Sequence, residues 1–266
     1  MPHVAPRLGN PREIAATLST LSTAHLHEGN ADEARAREEE ALGIFREVGD
    51  RIGEGIGLLH LGEIAMRIAD DGNAVELFEQ CLDVARSIKH QELEGECERN
   101  LGELALAAGS VSRARMRLER SLKVCRDAED KRNEALTLRW LGKADAAMGA
   151  YDSARKRLAE ALLAFKAFEM NEEALDCLED HAELLLAAGR SDDAARLQAA
   201  AAAIGEALAF PRSPRSEPNR QKQIERARSA LGDVAFRAAW SEGRAWALDE
   251  AIDRALAMIA ESPAIA

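Results

Sequence analysis

The side chains that most often bind metals or transfer protons occur in this sequence only in small groups. Cys177, Asp180 and His181 fall within about one helical turn, and His25 and His27 lie close together. A metal site needs three or four converging ligands, which neither group supplies. With six histidines in the chain, chance neighbours are expected, and no nucleophile, base and orienting acid can be combined from chain order. We therefore predict no metal site and no catalytic residue.

The glycine-rich stretch that includes Gly53, Gly55, Gly57 and Gly62 has the spacing neither of a phosphate-binding loop, G-x4-G-K-[ST], nor of a dinucleotide fingerprint. No strand pattern precedes it. The sequence therefore predicts no cofactor, and the chain is expected not to be an enzyme.

Composition indicates a soluble helical protein that avoids polyanions. Against 35 lysines and arginines stand 47 acidic residues, a formal charge of −12, which disfavours nucleic-acid binding by the chain as a whole. No stretch approaches the roughly 18–20 apolar residues of a membrane span, and the N-terminus has no signal-peptide core. The four cysteines lack C-x-x-C spacing and are interpreted as reduced core residues. A cytoplasmic location, without membrane contact, is expected.

The chain repeats itself with a period of about forty residues. Two columns recur in register: the pairs Leu61-Gly62, Leu101-Gly102 and Leu141-Gly142, and the alanines Ala34, Ala74, Ala114, Ala154 and Ala194. Within each period two amphipathic stripes are separated by a glycine turn such as Gly109-Ser110, where glycine closes one helix and Ser or Asn caps the next. Each period is therefore predicted to be a helical hairpin, and the fold an all-α, right-handed solenoid of about five hairpins.

The recurring glycine inside the first helix of each hairpin requires a packing reason, because glycine costs up to about 1 kcal/mol there relative to alanine. We expect the two helices of a hairpin to cross closely at Gly62, Gly102 and Gly142, beside the alanine of the second helix. Phe78, Leu118 and Leu158 are expected to fill the core.

These columns resemble the tetratricopeptide repeat, whose pattern runs W-x2-L-G-x2-Y, A-x3-F and then Pro. Leu61-Gly62 with Ala74-x3-Phe78 carries the resemblance, although the Trp, Tyr and Pro positions differ and the period exceeds thirty-four. Long-period variants of this kind are similar to those of bacterial regulators and kinesin light chains. HEAT or armadillo repeats are the alternative. The resemblance implies a concave face, lined by the first helices, that binds a protein or peptide.

The predicted organisation is an extension over 1–10, an array over 11–210, a Pro-rich linker over 211–218 and a helical capping segment over 219–266. The array divides into 11–50, 51–90, 91–130, 131–170 and 171–210. Glu38 in the first unit, and His181 and Gln198 in the fifth, replace apolar residues and are interpreted as terminal units exposed on their outer side. The alanine run 199–203 is expected to contact the tail. The tail, with Phe236, Trp240 and Gly243, resembles the C-terminal end of large bacterial signalling proteins that combine a cyclase, kinase or transcription-activator module with an ATPase and helical repeats.

The candidate partner-binding residues share the predicted concave face, at positions four apart on the first helices or beside them. They are His60, Glu63, Arg99, Asn100, Glu103, Arg139, Trp140, Lys143, Glu179 and Glu183. Asn100 with Arg99 and Arg139 distantly resembles the carboxylate clamp of some tetratricopeptide domains. Either these residues form a groove for a peptide of mixed charge, or they form a solvated face with internal ion pairs. Trp140 is expected to pack against the neighbouring hairpin, with an exposed anchor as the alternative.

The function predicted from these features is non-catalytic: an interaction scaffold, the regulatory repeat module of a bacterial signal-transduction or transcription regulator. The alternative is a sensor in which a small molecule or signalling peptide rearranges the solenoid. The sequence leaves the partner and the oligomeric state open.

Overall fold

The computed structural model describes residues 9–209 and 217–260, with side chains to residue 258, and this part of the chain is entirely helical in its regular structure. Its helices are α1 (Pro11–His27), α2 (Ala31–Glu47), α3 (Arg51–Arg67), α4 (Asp71–Ile88), α5 (Gln91–Ala107), α6 (Val111–Asp127), α7 (Lys131–Ala147), α8 (Tyr151–Ala167), α9 (Asn171–Ala187), α10 (Ser191–Ala207), α11 (Glu217–Leu231), α12 (Asp233–Gly243) and α13 (Leu248–Ala260). The fold is the predicted all-α solenoid of helical hairpins with a C-terminal helical cap. None of the described helices has both the length and the hydropathy needed to cross a membrane.

A left-handed residue ends each of the first ten helices, at a spacing of twenty positions. Glycine fills four of the five such positions within hairpins, as predicted, and one of the five between hairpins. The ten residues that end these helices with positive φ are Gly29, Gly49, Ala69, Lys89, Gly109, Glu129, Gly149, Glu169, Gly189 and Ala209. In the first nine of these turns the N–H of the residue after the left-handed one bonds back to a carbonyl in the last turn of the helix, for example Asn30 N to His25 O at 2.8 Å. The turn geometry is therefore uniform although the residue type is not.

The caps that follow these turns differ from the prediction. Asn30 and Ser110 stand at N-cap positions, but their side chains make no capping hydrogen bond. Asp50 and Asp130 do cap: Asp50 Oδ1 accepts from Gly53 N, and Asp130 Oδ1 from Asn133 N, both at 3.0 Å. Asp70 Oδ1 also accepts from Asn73 N, at 3.5 Å, at the start of the second helix α4. These caps are thus formed by aspartate and not by the Ser or Asn that follows glycine.

The chain divides into two compact units within α5, after Leu104. In the first unit α1 packs against α2, α2 against α3 and α3 against α4. The buried apolar side chains of this unit include Leu58, Leu61, Ile64, Phe78, Leu82, Cys97 and Leu101. A Cβ atom on Gly62 would lie 2.5 Å from Phe78 Cε1, so this glycine makes room for an aromatic ring.

In the second unit α6 packs against α7, and α7 to α10 pack in succession. Leu118 and Leu158 are buried at the predicted column, and all four cysteines of the chain are buried and reduced. A Cβ on Gly142 would lie 2.7 Å from Leu158 Cγ and 3.3 Å from the backbone oxygen of Ala154. Gly142 therefore permits the close helix crossing that the sequence predicts.

The polar residues assigned to exposed terminal units are in fact buried, which corrects that interpretation. Glu38 and His181 have no exposed surface, and Gln198 is almost completely buried. Each side chain points into the core, as the apolar residues at the equivalent repeat positions do. Its polar atoms therefore need hydrogen-bond partners inside the protein.

The C-terminal helices α11, α12 and α13 cover the fifth hairpin of the chain, α9 and α10, which belongs to the second unit. The α11 helix packs against α9 and α10, α12 mainly against α10, and α13 against α8, α9 and α10. Ala199, Ala200 and Ala201 are buried, as expected for contact with the tail. A Cβ on Gly243 would collide with the backbone of Arg196, so α12 approaches α10 closely.

The predicted boundary between the linker and the C-terminal helices changes, and most of the predicted linker lies outside the described residues. The helix α11 begins at Glu217, so Glu217 and Pro218 belong to its first turn rather than to the linker. Proline is tolerated there because the first N–H groups of a helix have no helical partner. Residues 1–8, 210–216 and 261–266, which hold most of the predicted extension, most of the linker and the chain's end, are outside this description.

Candidate interaction surface

The ten predicted residues lie on α3, α5, α7 and α9, which are first helices of hairpins. We call the side-chain surface of α1, α3, α5, α7 and α9 the first-helix surface. The first unit contributes His60, Glu63, Arg99, Asn100 and Glu103, and the second Arg139, Trp140, Lys143, Glu179 and Glu183.

A buried carboxylate anchors three helices beside the first-unit half. The Ser19 hydroxyl of α1 donates to Glu38 of α2 at 2.9 Å, and His60 Nδ1 of α3 lies 3.1 Å from Ser19 Oγ and 3.4 Å from Glu38 Oε1. Burial lowers the pKa of His60, but the hydrogen bond and charge of Glu38 outweigh it and raise that pKa above its ordinary value. The repeat pattern does not reveal this cluster, because a glutamate in an apolar column of a terminal unit is expected to be exposed.

Charged groups of α3 and α5 meet next to this cluster. Burial raises the pKa of Glu63, although His60 and Arg99 act in the opposite direction. The Arg99 guanidinium lies 3.5 Å from Asn100 Oδ1, and Glu103 is partly buried one turn further along α5. The structure therefore brings together four of the five predicted residues of this half: His60, Glu63, Arg99 and Asn100.

Asn100 carries a polar group that the protein does not satisfy. The side chain is only 5% exposed, and its Nδ2 has no hydrogen-bond partner among the described residues. A buried N–H without an acceptor costs about 1–3 kcal/mol. Asn100 therefore lowers the free energy of unfolding of the free protein.

In the second unit the predicted cations are neutralised internally. Arg139 is 9% exposed, and its guanidinium contacts Asp180 at 2.6 Å and Asp176 at 2.9 Å, while Lys143 pairs with Asp180 as well. Burial raises the pKa of Asp180, but Arg139 and Lys143 outweigh it and the pKa is lowered. This half matches the alternative of internal ion pairs, which the sequence analysis left open.

Trp140 lies close to both of these cations. Arg139 and Lys143 each lie 5.2 Å from its ring centre, and the half-buried indole packs against the core of the second unit. The packed position expected for Trp140 is observed, and one part of the ring stays accessible.

Glu179 and Glu183 face the tail rather than Arg139. Arg220 of α11 donates to Glu179 at 2.8 Å, and Gln223 donates to Glu183 at 3.0 Å. The contacts Arg139–Asp180 and Arg220–Glu179 both join positions 41 apart. The helix α11 therefore takes the place of a further first helix. The signal that could have revealed this is the recurrence of opposite charges one period apart.

No group of three or more His, Cys, Asp or Glu side chains in the described residues is arranged to hold a metal ion. His181 Nδ1 lies 2.7 Å from the carbonyl oxygen of Cys177 on the same helix, and burial lowers the pKa of His181 to about 4. This pair is part of the core and is not accessible to a substrate.

The repeats match a known family. The model of the tetratricopeptide repeat matches residues 13–87 and 55–127. Residues 13–127 are therefore tetratricopeptide repeats. The match assigns this part of the chain to that family rather than to the HEAT or armadillo alternative. No curated protein matches the sequence significantly.

Solved structures with the same fold include two Rap proteins and a signal transduction ATPase. The apo form of RapI is 14% identical, with a TM-score of 0.61 over 89% of this chain and 87% of that one. A Rap protein complexed with Competence and Sporulation Factor is 15% identical, with a TM-score of 0.63 over 94% and 76%. A signal transduction ATPase with numerous domains and a tetratricopeptide repeat sensor, from Pyrococcus horikoshii, is 14% identical, with a TM-score of 0.63 over 95% of this chain and 40% of that one. At these identities the likeness concerns the fold.

Proposed function

We propose that this protein is a non-catalytic interaction module that binds a protein or peptide segment on its first-helix surface, as the regulatory part of a bacterial signal-transduction or transcription regulator. The regulatory context is supported by the Rap proteins and by the P. horikoshii ATPase, in which a similar repeat region forms part of a much longer chain.

The observation that carries the proposal is the unsatisfied amide of Asn100. A bound peptide exposes backbone carbonyl groups, each of which accepts an N–H. Asn100 Nδ2 is covered in the free protein, so a partner's acceptor would reach it only after the side chain rotates toward the surface. That hydrogen bond would then remove the cost that Asn100 imposes on the free protein. Binding energy would thus be recovered at a position where the fold alone is unfavourable.

The charges around Asn100 favour a partner of mixed charge. Glu63 is held in a buried setting beside Arg99 and His60, so both signs of charge lie within one short stretch of surface. We propose His60, Glu63, Arg99, Asn100 and Glu103 as the contact residues. In the second half the ion pairs of Arg139 and Lys143 would hold Trp140 in place, and Trp140 would be the contact group there.

The first prediction tests Asn100 directly. Asn100→Leu keeps the approximate volume and removes the unsatisfied amide, so we expect the melting temperature to rise or stay constant and partner binding to weaken about tenfold. Affinity capture with the full chain, followed by mass spectrometry and titration of the captured partner, measures binding, and differential scanning calorimetry measures stability.

Lys156→Glu, at an exposed position on the second helix α8, is the control and should leave binding unchanged. Unaltered binding by Asn100→Leu, or a loss of binding in parallel with a fall in melting temperature, would show that Asn100 has a structural role.

The alternative function, sensing of a small molecule or signalling peptide, is favoured by the complex of the similar Rap protein with Competence and Sporulation Factor. A sensor needs no stable protein partner. A sensor would respond to a small-molecule or peptide library by a shift in melting temperature without capturing any protein, whereas a scaffold would capture one.

A further inference from the structure

The outer side of α6 carries a stripe of exposed basic residues on a chain whose net charge is −12. Arg113, Met116, Arg120 and Lys123 follow each other at spacings of three, four and three, so they share one side of the helix, and all four are exposed. We call these four residues the basic face. Over its whole length α6 has six basic residues and two acidic ones.

This arrangement opposes two rules that govern helix stability. Acidic residues in the first turn complement the positive end of the helix dipole. Among the thirteen helices of the described residues, α6 alone has no acidic residue in its first turn, and it has Arg113 there instead. Arg113 and Arg117 are also four apart, and Arg120 and Lys123 three apart, so like charges lie next to each other.

Cations elsewhere on α6 are neutralised by the protein, whereas those at the two ends of the basic face are not. Arg115 contacts Asp145 at 3.8 Å and Glu119 at 3.6 Å, and Arg126 contacts Glu134 at 2.7 Å. Arg113 and Lys123 have no acidic partner within the described part of the chain. Ion pairs within the described residues therefore do not explain why these two positions are basic.

None of the corresponding positions on the two earlier second helices is basic. Four of these eight positions are acidic, namely Glu33, Glu40, Glu76 and Asp83, and the other four are uncharged. The basic face is therefore not shared with the first two hairpins.

We propose that the basic face binds an acidic helix of a partner protein, with carboxylates over Arg113 and Lys123 and an apolar side chain over Met116. Met116 is 46% exposed in the middle of the stripe, and a partner side chain would remove its surface from water. The chain's net charge of −12 repels an extended polyanion, so a short acidic protein segment fits better than nucleic acid. This surface is separate from the first-helix surface and does not depend on the function proposed for it.

The second prediction uses the full chain and a fluorescent helical peptide that has glutamates at i, i+3 and i+7 and a leucine at i+4. Binding measured by anisotropy should weaken with added salt and should fall at least about tenfold in Arg113→Glu/Lys123→Glu. The control Arg132→Glu/Lys156→Glu reverses two other exposed cations of the same unit, with the same change in net charge, and should bind as the wild type does.

Stability provides the second readout. Because Arg113→Glu removes a repulsion and places an acid in the first turn, its melting temperature should rise. No binding of the acidic peptide to the wild type, an equal loss in both double variants, or a lower melting temperature for Arg113→Glu would overturn the proposal. Equally tight binding of a single-stranded DNA oligonucleotide, lost in the same double variant, would overturn it in favour of a nucleic-acid surface.

Discussion

At the scale of single residues, polar groups in apolar columns are the features that the repeat pattern explains least well. Glu38 occupies the column of Phe78 and is fully buried, with Ser19 and His60 as its partners. A buried carboxylate requires such partners, because an unpaired charge in the core costs several kcal/mol. The contacts of Glu38 therefore join α1, α2 and α3 through polar bonds where other hairpins use apolar packing.

The third prediction follows from the raised pKa of His60. A raised pKa in the folded state means that the stabilisation by protonated His60 is complete below the unfolded value of about 6.5 and is lost as pH rises through the folded value. The groups that act on His60 are Ser19 of α1, Glu38 of α2, Glu63 of α3 and Glu96 of α5. Urea unfolding between roughly pH 6 and pH 8 should show the wild type losing stability relative to Glu38→Gln.

Glu38→Gln is the matched variant because it keeps the side-chain volume and removes the charge that raises the pKa of His60. His60→Asn should abolish the same pH dependence. If all three proteins change in parallel across this range, His60 is not coupled to Glu38.

At the scale of helices and turns, the left-handed positions show how little of the turn geometry depends on glycine. Half of the ten positions carry another residue, and such residues pay about 1–2 kcal/mol for this conformation. This cost is offset by the hydrogen bonds from each turn back to the preceding helix and by the packing of the 17-residue helices, which together fix the turn.

The fourth prediction uses this cost. Glu129, with φ of 56°, is exposed between α6 and α7, so Glu129→Gly should stabilise the protein by about 1 kcal/mol in chemical unfolding. Glu129→Ala is the control. It also lacks the carboxylate but keeps the Cβ, and it should leave stability nearly unchanged. Equal gains in both variants would mean that the carboxylate, and not the backbone conformation, is unfavourable.

At the scale of the molecule, the chain ends in a cap whose helices dock in different ways. Phe236, Trp246 and Ile252 of the last segments are buried with apolar neighbours, whereas α11 adds Arg220 and Gln223 to acidic residues of α9. The cap thus protects the alanine-rich helix α10 and also continues the series of first helices.

The fifth prediction tests the cap. Gly243→Ala places a methyl group against the backbone of Arg196, which cannot give way as a side chain would, so we expect a loss of about 1–3 kcal/mol. Hydrogen exchange should show α10 and α12 losing protection first. Ala238→Gly, at an exposed position of α12, separates the steric effect from helix propensity, and a smaller loss for Gly243→Ala than for Ala238→Gly would contradict the close approach.

Much of the fold could be predicted because its determinants are local. The column of Phe78, Leu118 and Leu158, the glycine turns and the alanines at helix crossings all depend on spacing along one hairpin, and hairpins that bury only one face must stack. The same information located ten candidate side chains on first helices but not their partners.

What the sequence determined by itself was the repeating hairpin, since its period is set by helix geometry and by the residues that end each helix. What only the tertiary structure decided was the state of each charge. Arg139 and Lys143 are neutralised by Asp180, and Glu38 is buried with His60. Arg113 and Lys123 have no counterion among the residues that the structure describes. The physical reason is that pairing and desolvation depend on distances of a few ångströms between helices far apart in the chain, which no local pattern specifies.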